Sequence, residues 1–218
     1  MGNAGRKVTW DYGGAFERYD MSGEISVGNG TLKVHDIFDK IPDFMRKADV
    51  LFSDPPCSFG NLRSFYTKAE IEERTSQYFA FQKRFFAVLD EIRPRLVFLE
   101  VFKANKEAFV AELCVRYKNI KIFNNMYYRK PQNKCWIIMA SNNSLPDIDL
   151  NGIDEEYAIE HICEEIPFEC IADPCMGKGL VAFYANKYGK KFVGTELNKK
   201  RLAVCVERVV TGQRGKIN

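Results

Sequence analysis

The chain has 218 residues, 46% of them hydrophobic, and a formal net charge of +3. That length and apolar content can bury a full core and fit one domain near the upper end of the usual range. So small a charge neither demands nor excludes a nucleic-acid partner, and any basic footprint must be local.

Tyr12-Gly13-Gly14 and Val27-Gly28-Asn29-Gly30-Thr31 read as turns. Everything before Gly30 reads as irregular, and Leu32 to Ile37 as a short alternating strand. Asp49 to Ser53 is a brief apolar strand that stops at Asp54-Pro55-Pro56, because neither proline can donate to a sheet ladder. From Thr67 to Ile92 the apolar positions Ile71, Tyr78, Phe81, Phe85, Phe86, Val88 and Leu89 recur at helical spacing behind a Thr67/Glu70 capping box. This predicts one long amphipathic helix, its aromatic stripe packed in the core. Pro94 ends it. Leu96 to Phe102 is a continuous apolar run, the pattern of a central strand covered on both faces. Lys106 to Tyr117 predicts a helix, and Ile120 to Tyr127 and Cys135 to Ala140 predict a hairpin joined by Tyr128 to Lys134. Asn142 to Asp154, rich in Asn, Asp, Ser, Pro and Gly, is the expected linker. Beyond it, helices are expected over Glu155 to Ile166, Leu180 to Tyr188 and Lys199 to Val210, with strands at Phe168 to Ala172 and Phe192 to Thr195. Strands alternating with helices imply an α/β fold with a mostly parallel sheet that ends in the hairpin. One domain is expected over 1–218, its halves 31–141 and 155–218 joined by the linker 142–154.

The seven cysteines sit mostly in apolar runs such as Glu112-Leu113-Cys114-Val115, as reduced core thiols do, so no disulfide is expected. His161 with Cys163 and Cys170 with Cys175 lack C-x-x-C spacing, and no metal site is expected from them. No apolar run approaches the length of about 18 residues needed for a membrane span. Met1 to Val8 lacks the apolar stretch of a secretory signal. Gly2 invites myristoylation, but Arg6 stands where Ser or Thr is required. A soluble, cytoplasmic protein with no membrane partner is expected.

Asp173-Pro174-Cys175-Met176-Gly177-Lys178-Gly179 falls between a predicted strand and a predicted helix. There a glycine-rich turn lets the backbone approach a ligand at the helix N-terminus. A phosphate-binding P-loop is excluded, because no Ser or Thr follows Gly177-Lys178 and the earlier glycine is missing. Glu196 closes the next strand, where a carboxylate can accept bonds from both ribose hydroxyls, which implies an adenosine-containing cofactor. Glu196 can equally serve as an acid at the start of a helix, favoured by the dipole.

In this stretch the sequence resembles the DNA amino-methyltransferases, whose first motif has the form D-P-F-x-G-x-G and runs on through a helix to an aliphatic-Gly-x-Glu strand end and a final helix. The resemblance spans Asp173 to Arg208. It implies a Rossmann-like methyltransferase fold with S-adenosyl-L-methionine as cofactor. It also places Asp173, Cys175, Gly177, Gly179 and Glu196 on the cofactor, with Cys175 in place of the usual Phe and Lys178 in place of the usual Ser.

Asp54-Pro55-Pro56-Cys57 ends a strand, at the carboxyl edge where open α/β sheets bind ligands. The family's catalytic motif there has the form D-P-P-Y. An exocyclic amine has its lone pair delocalised into the ring, so it needs an acceptor that polarises N–H while the methyl donor is held in line. Asp54 can be that acceptor. The stiff Pro55-Pro56 turn can aim a carbonyl as a second one. The resemblance also implies DNA as partner and a flipped target base that stacks on the aromatic closing the motif. Cys57 stands at that place, so Phe59 or Tyr66 is the candidate stacking face.

Cys57 carries a rival reading, since Pro-Pro-Cys also resembles the nucleophile motif of pyrimidine C5-methyltransferases, where a thiolate adds to ring carbon six. Glu100 would then imitate their catalytic Glu. The form of the cofactor loop and the Asp before Pro-Pro favour the amine chemistry. The tripeptide alone can also be a plain strand-ending turn.

The catalytic motif precedes the cofactor motif, a circularly permuted order that resembles the β group of DNA amino-methyltransferases. In that order the last helix lies near the first strand. Asp36 then falls where the family places an acid near the cofactor adenine, or else caps a short helix. Arg63, Lys68, Arg129, Lys130 and Lys134 are candidates for phosphate contacts, or plain surface charges. The expected enzyme methylates adenine N6 rather than cytosine N4, with short or weak sequence specificity and a restriction-modification setting in a microbial or phage host. A homodimer, a non-catalytic partner subunit, and an RNA or protein substrate remain open.

Overall fold

The computed structural model describes residues 14–214. Its first elements are α1 (Ala15–Arg18), β1 (Glu24–Val27), β2 (Gly30–Val34), a 3-10 turn over Asp43–Lys47, and β3 (Val50–Ser53). Then come α2 (Phe59–Ala69), α3 (Tyr78–Ile92), β4 (Leu96–Val101), α4 (Lys106–Arg116), β5 (Asn119–Tyr127) and β6 (Lys130–Ser141). The chain ends with α5 (Glu155–Glu165), β7 (Cys170–Asp173), α6 (Leu180–Lys187), β8 (Lys191–Glu196) and α7 (Lys199–Thr211). No helix among the described residues is long and apolar enough to cross a membrane.

β3, β4 and β7 are buried at every position because helices cover both faces of the sheet. Alternate residues separate the two layers. Val50 and Phe52 pack among apolar residues of α5, α6 and α7. Leu51 packs among those of α2, α3 and α4. The strand order is β1-β2-β8-β7-β3-β4-β6-β5. The run from β2 to β4 is parallel, while β1 and β6 join it antiparallel at the two sides.

From β7 the chain crosses by α6 to β8, and from β3 it crosses by α2 and α3 to β4, in the opposite direction along the sheet. β7 and β3 are neighbours, so the order reverses between them, and their carboxyl ends flank the crevice where such folds hold ligands.

Three expectations are corrected. The helix expected over Thr67 to Ile92 is two helices, since 70–77 offers one apolar side chain, Ile71, which is 44% exposed. With nothing to bury, the segment has no reason to stay helical. Glu70 closes α2 at φ +61°, its N–H donating to the Thr67 and Tyr66 carbonyls, so Thr67/Glu70 is a helix end and no capping box. The N-cap of α2 is Ser58, whose side chain accepts from the Asn61 N–H. Second, the stretch before Gly30 is not irregular: α1 and β1 lie there, and β1 forms a hairpin with β2 around Gly28-Asn29. Third, the β5–β6 connection is the two-residue turn Tyr128-Arg129, both residues at φ +54°, so Lys130 and Lys134 lie on β6 rather than in a loop. The expected linker 142–154 is the connection from β6 to α5, and it is packed down as a strap. Ile148 and Leu150 are buried, and the Asn125 side chain donates to the Ile153 carbonyl at 3.0 Å. Met1 to Val8, and Tyr12 and Gly13 of the first predicted turn, lie outside the described residues.

Candidate active site

The two sequence motifs meet at the β3–β7 pair. Ser53, the last residue of β3, donates its hydroxyl to Asp173 Oδ1 at 3.0 Å. The same oxygen accepts the Cys175 N–H at 3.0 Å, which starts the turn. The turn is held to β8 by the Met176 N–H on the Thr195 carbonyl at 3.1 Å and the Thr195 hydroxyl on the Pro174 carbonyl at 3.0 Å.

Gly177 and Gly179 have φ of +56° and +77°, which L side chains rarely adopt. A Cβ at Gly177 would come within 2.7 Å of the Arg201 guanidinium, and one at Gly179 within 2.2 Å of Cys205 Sγ on α7. The two glycines therefore do different work: Gly177 keeps the backbone open on the Arg201 side, and Gly179 lets α6 start hard against α7. Glu196 is buried, and it accepts the Gly177 N–H at 2.7 Å and the Asn198 N–H at 3.0 Å, one on each oxygen. A carboxylate oxygen can accept more than one bond, so Glu196 can brace this turn and still receive ligand hydroxyls.

Asp36 lies two residues past Val34, which pairs with Glu196, and so stands at the same sheet edge. Its Oδ1 accepts the Phe38 N–H at 3.0 Å, the local turn contact, and both its oxygens take the Tyr66 hydroxyl at 3.0–3.1 Å. Tyr66 is only 2% exposed, so it positions Asp36 and offers no ring face to the cleft. Phe59 opens α2 half-buried.

Asp54 follows β3 directly. Burial and the neighbouring Asp173 raise its carboxyl to about 7, against a smaller lowering by Arg201. Burial likewise raises Asp173 to about 7. The Pro56 carbonyl accepts the Tyr78 hydroxyl at 2.6 Å, which ties the Pro-Pro turn to the start of α3. Asn105 supports that hydroxyl with its amide at 3.4 Å. The Cys57 N–H donates to Asn61 Oδ1 at 3.2 Å. Burial and the Asp54 charge push the Cys57 thiol upward, the reverse of what activates a nucleophilic cysteine.

Sequence reasoning missed several residues here. Tyr127, at the end of β5, is half-buried, and its phenol is raised by burial and by the charges of Asp54 and Glu155. Phe102 meets it edge-on at 5.0 Å, and Tyr128, 61% exposed, lies 4.1 Å from it, so the hairpin contributes an aromatic wall beside Asp54. Phe102 and Tyr127 close two predicted strands and Tyr128 opens the predicted connection, and only the pairing of β6 with both β4 and β5 brings them together near Asp54. The candidate phosphate contacts scatter. Arg63 pairs with Glu73 at 3.3 Å, and Arg129 pairs with Asp154 at 3.2 Å and lies over the Tyr157 ring. Lys68 lies over the Phe65 ring, while Lys130 and Lys134 are exposed on β6.

A parallel sheet with a strand-order reversal, a glycine turn braced by an acid, and Asp-Pro-Pro across the crevice define an α/β fold of the Rossmann-like methyltransferase kind. Solved structures share it. M1.HpyAVI in complex with S-adenosylmethionine superposes with a TM-score of 0.57 at 13% identity, over 81% of this chain and 98% of that one. TTHA0409 of Thermus thermophilus, a proposed DNA modification methylase complexed with S-adenosyl-L-methionine, gives 0.57 at 14% identity over 85% and 95%. The PvuII DNA methyltransferase, cytosine-N4-specific, gives 0.53 at 9% over 86% and 95%. At these identities the likeness establishes the fold. No protein-family model matches the chain, and comparison with curated proteins gives no match.

Proposed function

We propose that the protein is an S-adenosylmethionine-dependent DNA methyltransferase acting on an exocyclic amine, adenine N6 in particular. The observation that carries the reading is the Ser53–Asp173 bond, because it sets Asp54-Pro55-Pro56 directly across from the glycine turn. The cofactor fits on this structure's own terms: the Gly177 backbone stands where a Cβ would collide, and Glu196 retains acceptor capacity beside it. Gly177, Glu196 and Asp36 would hold it, and it supplies an electrophilic methyl group when bound.

The protein's part is to prepare the amine. Ionised Asp54 accepts one N–H, and the Pro55 carbonyl accepts the other, since the Pro56 carbonyl is engaged by Tyr78. Polarising N–H returns electron density to nitrogen; the methyl would exchange its bond to the sulfonium sulfur for one to nitrogen, leaving a neutral thioether, and the displaced amine proton would leave through Asp54. Tyr127 and Phe102 are the ring faces for an extruded base, the role left open by Cys57. The aspartate before Pro-Pro favours adenine N6 over cytosine N4. The raised Cys57 thiol speaks against a thiolate attack on ring carbon six. The permuted motif order supports placement beside the β group.

Tritium transfer from labelled S-adenosylmethionine into unmethylated DNA, followed by nucleoside mass spectrometry, tests this. N6-methyladenine is the expected product. Finding 5-methylcytosine would transfer the chemistry to Cys57, and cofactor binding without transfer to DNA would overturn the DNA reading.

A further inference from the structure

Asp54, Glu100 and Glu155 reach the crevice from three elements: the end of β3, the fifth position of β4 and the first turn of α5. One carboxylate oxygen from each lies within 4.8 Å of the other two. Of these three acids, methyl transfer as proposed uses only Asp54, so it gives no reason for the two glutamates.

Glu100 is the singular member. It is 0% exposed, and among the described residues neither of its oxygens has a hydrogen-bond partner of normal geometry; the weakly donating Cys135 thiol is the polar group beside it. The charges acting on it are those of Glu155, Asp54 and Asp154, all of its own sign. A buried carboxylate is ordinarily paired, hydrogen-bonded or bound to a metal. Arg201 offsets Asp54 and Glu155 in part, but its guanidinium lies over the Phe65 ring and against Gly177.

We propose that Asp54, Glu100 and Glu155 bind one hard divalent cation of the magnesium or manganese class. Three oxygens within 4.8 Å of one another can close on one such ion, since ligands on an octahedral magnesium stand about 2.9 Å apart when adjacent and about 4.1 Å apart when opposite. A donor set made only of carboxylate oxygens, with no imidazole or thiolate, suits magnesium, manganese or calcium. Glu100 forms the closed floor. Asp54 and Glu155, both half-buried, leave the remaining coordination positions facing the crevice, for water or an oxygen of the methyl acceptor. Asp54 has a second oxygen, so it can ligate the ion and still face an amine.

The test titrates manganese alone into the EDTA-stripped chain, without DNA or cofactor, following free manganese by electron paramagnetic resonance and heat by calorimetry. One manganese per chain, displaced by excess magnesium, is expected. Glu100→Gln keeps the side-chain shape and should weaken binding at least tenfold, as should Glu155→Gln at the more open position. Glu160→Gln, on the outer face of α5 beside Lys187, should bind as the parent does. Circular dichroism establishes that each variant is folded. Absence of stoichiometric binding, or binding untouched by both glutamate variants, overturns the site. If the stripped chain methylates DNA yet binds no manganese, the site fails and the enzyme reading stands. If one manganese binds and no DNA is methylated, the site stands and the enzyme reading fails.

Discussion

Asp54 combines a chemical opportunity with a cost to folding. An acid lifted to about 7 by burial and by Asp173 is a carboxylate only above that pH. As an acceptor it works ionised, so kcat/KM for methyl transfer should rise through about pH 7 and level off above it, measured in chelating buffer to keep the carboxylates metal-free. The stability sign is opposite. A carboxyl whose folded pKa exceeds its unfolded value of about 3.9 holds its proton longer in the folded protein, so stability falls as pH rises from about 4 to about 7. Asp54→Asn should therefore melt higher than the parent at pH 8, with the difference gone below about pH 4. Asp54→Ala should lower transfer by about 10²- to 10⁴-fold while leaving cofactor affinity within about threefold, by equilibrium binding. Cys57→Ser should keep transfer within about tenfold, because that thiol is raised rather than activated. Unchanged transfer in Asp54→Ala, or its loss in Cys57→Ser, would move the chemistry off the amine. Asp54, Gly177 and Glu196 were legible in the sequence because each motif is contiguous and its residue types follow from local chemistry. Tyr127, Tyr78 and Glu155 were not, because each gains meaning only from a residue tens of positions away.

Elements were read well where burial alone decides them. β3 and β4 are apolar on both faces, and their limits fall within a residue of the pattern. The break between α2 and α3 was lost because a helical period persists across a gap when the residues on either side belong to two separate helices of one layer. Arg93, which closes α3 at φ +56°, could have warned that these ends lack the glycine that usually marks them. Where a glycine does mark an end it is constrained by its neighbours. Gly179 starts α6 at φ +77° against Cys205, so Gly179→Ala should cost about 2–4 kcal/mol in chemical denaturation, from backbone strain and overpacking together. A loss below about 0.5 kcal/mol would mean that α6 and α7 can part without penalty.

At the scale of the molecule, strand order interleaves the two halves that follow one another in the sequence. Residues 155–218 supply β7 and β8, yet these strands sit between β2 and β3, both from the first half. Without them β2 would lose its parallel partner and β3 one of its two neighbours, opening the sheet at the β7–β3 crevice. Pattern could not reveal this, because periodicity reports which face of a strand is buried and not which strand lies beside it. The strap 142–154 is thus a covalent convenience rather than a hinge, held down by Ile148, Leu150 and the Asn125 side chain. Cleavage at a protease site introduced among exposed Asn142, Asn143 and Ser144 should leave the two fragments together on gel filtration, unfolding in one transition in denaturant. Fragment 1–141 expressed alone should not fold, since its β2 and β3 have no partner between them. A folded, monomeric 1–141 would show that the sheet can close without β7 and β8. The glycine turn and Asp54 would then belong to separable units, and the crevice would be an interface rather than a site built into one sheet.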